Sequence, residues 1–173
     1  NDGFYSSNSY PFIVRGWRAL LVEPHPAAFQ QATQLHHKRK QVSLLNQACS
    51  DHEGELELQI LAGDEGGSHS FLGKPPQASQ PTTPAPGGAH RIKVHRLETL
   101  LDEFHIPRDF GLLTIDTEGH DFAVLRGANL TRYRPRVIIA EKNPDDEEKF
   151  AFLQANGYRV HSDLLYDTIW TRE

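Results

Sequence analysis

A short polar segment, DTEGHD at residues 116–121, directly follows the apolar run FGLLTI. It places Asp116, Glu118, His120 and Asp121 within six positions. Crowded carboxylates raise one another's pKa and an imidazole titrates near neutral pH, so both kinds of group suit general-base chemistry. We predict His120 as the base, Asp116 as the second candidate and Glu118 as a further catalytic residue. The structural alternative is that Glu118 or Asp121 caps the following helix while His120 is exposed.

Another acid, Glu141, closes the apolar run VIIA at residues 137–140. In open α/β sheets, ligands bind beyond the carboxyl ends of the strands, so Glu141 should face the same rim as the DTEGHD segment. It either holds a substrate hydroxyl or pairs with a structural arginine, and Asp121 is a second substrate-binding candidate.

A divalent metal on Asp116, Glu118 or Glu141 is an alternative way to acidify a hydroxyl. No spacing fixes such a site, so none is assigned.

The start of the chain carries a different signal. Asn1, Asp2 and Gly3 form a small-residue turn of the kind that lets backbone amides approach a ligand. Glu23 closes the run RALLVE at residues 18–23, twenty positions after Gly3. That is the spacing of an acid that binds ribose hydroxyls in nucleoside-binding βαβ units. Together the two features predict an adenosine-containing cofactor, although each alone is also typical of an ordinary turn or helix cap.

The composition is that of one globular domain spanning residues 1–173. The 173 residues are 38% hydrophobic and 24% charged, which is enough apolar material for a continuous core. A formal net charge of -5 offers no basic field for a polyanion, so nucleic acid is not expected as a partner.

Cys49 is the only cysteine, which favours a reducing compartment. With no apolar run long enough for a bilayer and no secretory leader, we expect a cytoplasmic protein.

Apolar strands alternate with amphipathic helices along the chain. A helix from Pro26 should bury Phe29, Ala32 and Leu35 on one face, as their spacing indicates. The alternation predicts an α/β fold with a doubly wound, mostly parallel sheet that ends in an antiparallel pair. The expected strands are residues 18–23, 42–48, 54–61, 92–94, 110–115, 137–140, 158–161 and 165–171, with helices starting near residues 26, 97, 121 and 145.

Residues 63–89 are dense in glycine and proline, which predicts a long loop without regular structure. Loops of this length in compact domains are either disordered or act as functional lids, and the sequence does not choose between the two.

Taken together, the motifs resemble the FkbM-type methyltransferase family over nearly the whole chain. The matching segments, in chain order, are NDG, SNS, GW, VEPHP, IDTEGHD, VLRG and RPRVIIAE. VEP combined with DxEGxD ahead of VLxG is the specific part. The resemblance implies a Rossmann-like fold, S-adenosylmethionine as cofactor, and methyl transfer to a hydroxyl oxygen of a sugar, polyketide or related small-molecule or glycan acceptor.

The resemblance also implies roles for individual residues. Glu23 would hold the ribose, the NDG turn would line the methionine side, and residues 116–120 would flank the reacting centre. Such enzymes carry a strand and a D-x-G-A segment before NDG, and we expect that central strand in the natural protein, since its loss would expose neighbouring backbone groups. The implied cofactor-binding residues are Asn1, Asp2, Gly3, Asn8, Glu23, Pro24 and Asp116.

Two other functions remain open from the sequence. A nicotinamide-dependent oxidoreductase would use the same turn and the same ribose acid, although no G-x-G-x-x-G is visible. A catalytically silent Rossmann-like module could instead serve as an interaction platform, with the proline-rich loop as the ligand of a partner protein.

Overall fold

A computed structural model describes residues 7–61, 71–72, 84–143 and 146–172 of the chain. These residues form a mixed α/β structure with five helices and ten strands. The helices are α1 (Tyr10–Ile13), α2 (Pro26–His36), α3 (Leu97–Glu103), α4 (Asp121–Gly127) and α5 (Asp146–Ala155). The strands are β1 (Ala19–Val22), β2 (Val42–Leu45), β3 (Ala48–Ser50), β4 (Gly54–Leu61), β5 (Phe71–Leu72), β6 (Pro84–Arg96), β7 (Leu112–Ile115), β8 (Val137–Glu141), β9 (Tyr158–Asp163) and β10 (Asp167–Arg172).

The chain divides into two compact units, which are described separately. The first unit comprises Asn1–Ala48 with Gly54–Val94, and the second comprises Cys49–Glu53 with His95–Glu173. The expectation of a single domain stays a prediction. Among the described residues, no helix has both the length and the apolar character needed to cross a bilayer.

In the first unit, β1 and β2 are paired in parallel and are connected by α2. Pro26 begins the helix, and the ring of His25 caps it by accepting a hydrogen bond from the Ala28 amide at 3.3 Å. The buried positions are Ala28, Ala32 and His36. The predicted face was therefore wrong at Phe29 and Leu35, which are only half-buried. A spacing of four residues, not three, sets the face that packs.

The second predicted strand, residues 42–48, is interrupted. It ends at Leu45, and Ala48–Ser50 forms a separate strand in another sheet. Asn46 accounts for the break, because its side-chain amide donates to the carbonyl oxygens of Glu23 at 2.9 Å and Pro24 at 3.1 Å. These bonds hold Asn46 at the end of β1, so the chain turns away there.

The strand β4 has the bounds that its period-two pattern predicts. It belongs to a sheet in the order β3-β6-β4-β5, with Leu58 and Val94 among its buried core residues. The prediction that residues 63–89 lack regular structure was wrong at residues 71–72, which form β5, and from Pro84 onward, where β6 begins. Pairing with β4 organises β6, and a register shift between Gln59 and Leu61 lies where proline is tolerated. Residues 62–70 and 73–83 lie outside the described residues.

The second unit contains a sheet in the order β7-β8-β10-β9. Strands β7 and β8 are parallel, whereas β10 pairs antiparallel with both β8 and β9. The expected antiparallel ending is thus present. The α/β class is confirmed, but the sheets of the described residues are small and mixed, so the doubly wound arrangement stays a prediction.

Helices α3, α4 and α5 supply the core of this second unit together with the sheet. Fully buried Leu125, Ile138, Leu153 and Trp170 lie at its centre. Burying each such side chain contributes about 2 kcal/mol. Phe150 packs edge-on against Trp170, with ring centroids 4.6 Å apart. The first turn of α5 contains acidic residues, while residue 145 lies outside the described residues. This packing fixes β7, β8 and α4, the elements that carry the polar segment.

Candidate functional site

The loop between β7 and α4 carries the DTEGHD segment and turns sharply. Glu118 has a φ of 51° and Gly119 a φ of 97°, so two successive residues adopt the left-handed conformation. A glycine adopts it without strain, but at a glutamate it costs about 1 kcal/mol or more. Such a local cost persists only where the surrounding structure imposes it, and it is concentrated at functional sites.

Asp121 holds this loop together from inside the protein. It is 1% exposed, and its Oδ2 accepts from the Thr117 hydroxyl at 2.8 Å and from the Thr117 amide at 3.4 Å. Asn143 donates to the same oxygen at 3.4 Å. The N-cap residue of α4 is His120, whose side chain makes no capping hydrogen bond, and the capping alternative was wrong for Asp121. Asp121 instead accepts from the loop that precedes the helix.

Three carboxylates converge where β7 and β8 end. One oxygen each of Asp116, Glu118 and Glu141 lies within 4.8 Å of the other two. The cause is the sheet register, because Ile115 is paired with Ala140 in parallel and the next residue of each strand therefore emerges at the same edge. The structure thus brings together residues that are far apart in the sequence.

The pKa of Glu141 lies well above the ordinary value of a glutamate. Burial, as the largest cause, and the nearby carboxylates of Glu118, Asp121 and Asp116 together raise its pKa to about 8. Its Oε2 is enclosed and has no hydrogen-bond partner among the described residues. The basic group that acts on it is Lys149, not an arginine, and the Lys149 ammonium donates to the backbone oxygen of Glu141.

His120 lies at the start of α4 and is half-buried, so the alternative of an exposed imidazole was wrong. Its Nε2 is 2.9 Å from the hydroxyl of Ser50, which is itself fully buried. Burial lowers the pKa of His120, and the Asp51 carboxylate partly opposes this effect. Ser50 also lies 3.3 Å from both Asp51 Oδ1 and His52 Nδ1, so the imidazole is held in a small polar network.

Glu23 lies in the first unit, immediately after β1. Its Oε1 accepts a hydrogen bond from the His25 amide at 2.8 Å, and its backbone oxygen accepts from Asn46. These bonds fix the turn into α2. A carboxylate has about four acceptor sites, so this local role is compatible with binding ribose hydroxyls as well.

The remaining predicted residues have separate locations. Asn8 and Pro24 are half-buried in the first unit, before α1 and after β1 respectively. Asn1, Asp2 and Gly3 lie outside the described residues. The acidic and imidazole groups of the DTEGHD segment and Glu141 all belong to the second unit.

Sequence reasoning missed several residues that organise these sites. Asn46 directly follows β2 and Asn143 lies two residues after β8, so the strand-end rule applied to amides as well as to acids would have found them. Ser50 and Lys149 carry no local signal. Lys149 is 2% exposed and pairs with Asp146 at 2.6 Å, a role that only packing reveals.

Acidic side chains at the carboxyl ends of neighbouring parallel strands are typical of α/β proteins that bind small ligands. The chain belongs to the FkbM methyltransferase family, because residues 1–160 match the Methyltransferase FkbM domain. The family confirms the resemblance read from the sequence and supports methyl transfer as the general reaction. Comparison with curated proteins and with solved structures gave no match.

Proposed function

We propose that this protein transfers a methyl group from S-adenosylmethionine to a hydroxyl oxygen of a sugar, polyketide or related metabolite. The observation that carries the proposal is the family match over residues 1–160. The convergence of Asp116, Glu118 and Glu141 at one sheet edge supports it, because hydroxyl alkylation needs acceptors and a base there. We further propose that residues 1–173 form one doubly wound, Rossmann-like methyltransferase domain.

The cofactor is assigned to residues of the first unit and the chain start. Glu23 is the proposed ribose acceptor, since a strand-end carboxylate held by the His25 amide is oriented before a ligand arrives. Asn8, Pro24 and the NDG turn at residues 1–3 are proposed to line the cofactor beside it. Asp116 completes this set and is the second candidate for the base.

Methyl transfer is an in-line displacement. The acceptor oxygen bonds to the methyl carbon as the carbon–sulfur bond breaks, the sulfur leaves as a neutral thioether, and the hydroxyl proton passes to a base. We assign that proton to His120, whose ring is oriented by the buried Ser50 hydroxyl. Glu118 and Glu141 would hold the acceptor hydroxyl. Asp121 is 1% exposed, so we assign it to positioning the loop that carries these groups.

Calorimetry with S-adenosylmethionine on the full-length chain tests the cofactor. We expect binding in the parent and a loss of affinity of about tenfold or more in Glu23→Gln, the usual effect of losing a charge-assisted hydrogen bond. Glu57→Gln, on the exposed face of β4, is the matched control and should bind like the parent. Binding of a nicotinamide dinucleotide in place of S-adenosylmethionine would support the oxidoreductase and contradict the proposal.

Turnover is tested with S-adenosylmethionine labelled in the methyl group and a panel of hydroxylated acceptors. Removing a general base lowers the rate about 10²- to 10⁴-fold, so His120→Ala should lose label transfer while cofactor binding persists. His161→Ala, at an exposed position of β9, is the control. Cofactor binding without transfer to any acceptor would favour the silent interaction module.

A further inference from the structure

We propose that Asp116, Glu118 and Glu141 form a binding site for a divalent cation that prefers oxygen ligands. Their oxygens lie within 4.8 Å of one another. Ligands on opposite sides of one ion are about 4.2 Å apart for Mg²⁺ and about 4.8 Å apart for Ca²⁺, so a single ion can contact all three carboxylates. Carboxylates are the ligands that these hard cations take from proteins.

Two carboxylate oxygens, one in the cluster and one next to it, are buried without a hydrogen-bond partner among the described residues. Asp121 is 1% exposed, and its Oδ1 has no hydrogen-bond partner among the described residues, although its Oδ2 is well satisfied. Oε2 of Glu141 is enclosed in the same way. Asn143 joins the two, since its amide is 3.4 Å from Asp121 Oδ2 and 3.5 Å from the Glu141 backbone oxygen. A buried carboxylate oxygen left without a partner is costly, and a cation or a water bound to it would remove that cost.

The local charge also favours a cation. Glu118, Asp121 and Asp116 each act on Glu141 as like charges. The buried ammonium of Lys149 contributes in the opposite sense, but it is bound to the Asp146 carboxylate at 2.6 Å and to the backbone oxygen of Glu141. Glu118, Asp121 and Asp116 thus lie close enough to Glu141 to act on it as like charges, and a divalent ion would offset that repulsion.

A cation here would change how the acceptor is prepared. An ion bound to the acceptor hydroxyl lowers its pKa, so the proton leaves more easily as the methyl group arrives. Asp116 would then be a ligand, which leaves His120 as the base. This role in the reaction rests on the proposed function, whereas cation binding itself does not.

Titration calorimetry with MgCl₂, CaCl₂ and MnCl₂, without cofactor or acceptor, tests the site on the full-length chain. We expect saturable binding of one ion, weakened about tenfold or more in Asp116→Asn and in Glu141→Gln. Glu148→Gln removes an exposed acid in the first turn of α5 and should bind like the parent. Asp116 is exposed, so its variant should fold even if Glu141→Gln does not.

Paramagnetic broadening locates the ion. Mn²⁺ should broaden the backbone amide signals of Thr117, Gly119 and Asn143 in the parent and leave them sharp in Asp116→Asn. Absence of binding at about 10 mM, or equal affinity in the Asp116, Glu141 and Glu148 variants, would overturn the proposal. Because no cofactor or acceptor is present, a negative result here leaves the methyl-transfer assays unaffected, and a failure of those assays leaves this result standing.

Discussion

Ser50 and His120 are 70 positions apart in the chain, yet the Ser50 hydroxyl lies 2.9 Å from the His120 Nε2. His120 occupies the N-cap position of α4, and Gly127 is the last residue of the same helix. A Cβ atom built on Gly127 would lie 1.8 Å from the Ser50 carbonyl oxygen. Ser50 therefore contacts both ends of α4, and the position of the imidazole depends on the close approach that this glycine allows.

The contact between Ser50 and His120 should appear as an energetic coupling. We expect Ser50→Ala and His120→Ala each to lower the free energy of unfolding, with a coupling of about 1 kcal/mol in the double variant, the net value of one hydrogen bond. Urea denaturation of the four proteins measures it. Strictly additive effects would show that the hydroxyl and the imidazole do not interact in solution.

Gly127→Ala should be strongly destabilising, although alanine is a better helix former than glycine by about 1 kcal/mol. The added methyl group would overlap the Ser50 carbonyl, and overpacking typically costs about 1–3 kcal/mol, with an overlap against backbone at the upper end of that range. Gly157→Ala is the comparison, because that glycine has a φ of +83° but open space around its Cα. It should cost only about 1 kcal/mol of backbone strain. Thermal denaturation ranks the two, and a Gly127→Ala protein as stable as Gly157→Ala would contradict the packing.

The Glu53 carboxylate should make the free energy of unfolding fall at acid pH. It accepts hydrogen bonds from the Thr99 hydroxyl at 2.6 Å and from the Arg96 amide at 3.0 Å, and His95 lies 2.7 Å away. These groups, Thr99 foremost, lower the pKa of Glu53 below its ordinary value of 4.5. A lowered folded-state pKa means that the unfolded chain binds the proton more tightly. The stabilisation is therefore present above pH 4.5 and is lost as the pH falls through the lower folded-state value.

Melting temperatures measured from neutral pH down to about pH 3 test this expectation. Glu53→Gln should reduce stability at neutral pH and flatten the decline below pH 4.5, because the titrating group is gone. Glu57→Gln, at an exposed position of β4, should leave the fall in melting temperature at low pH unchanged. An unchanged decline in Glu53→Gln would mean that other carboxylates cause it.

The thiol of Cys49 should react slowly with disulfide reagents in the folded protein. Burial, with a smaller contribution from the Glu53 charge, raises its pKa to about 12, so almost no thiolate is present at neutral pH. The thiolate is the nucleophile, so a disulfide reagent should label Cys49 far more slowly than it labels free glutathione. Adding urea should raise the rate to that of an exposed cysteine. Rapid labelling of the native protein would show that the residue opens to solvent.

The sequence predicted those elements whose pattern of apolar and polar residues lies within a single segment. The strand β4 has its predicted bounds because its alternation of leucine and isoleucine with polar residues is a property of that segment alone. The break after Leu45 was not predictable, since it depends on Asn46 reaching carbonyls more than twenty positions earlier. Proline content likewise concealed the first part of β6, of which only residues 92–94 were predicted, because pairing with β4 outweighs the propensity of its first residues.

The sequence by itself determined the family and the polar residues that follow apolar strands, because motif order and hydrophobic runs are written along the chain. Only the tertiary structure decided that Asp116, Glu118 and Glu141 come within 4.8 Å, and that Ser50 holds His120. The physical reason is register. Which strands are neighbours, and which residues end at the same edge, follows from the packing of the whole unit and not from any segment within it.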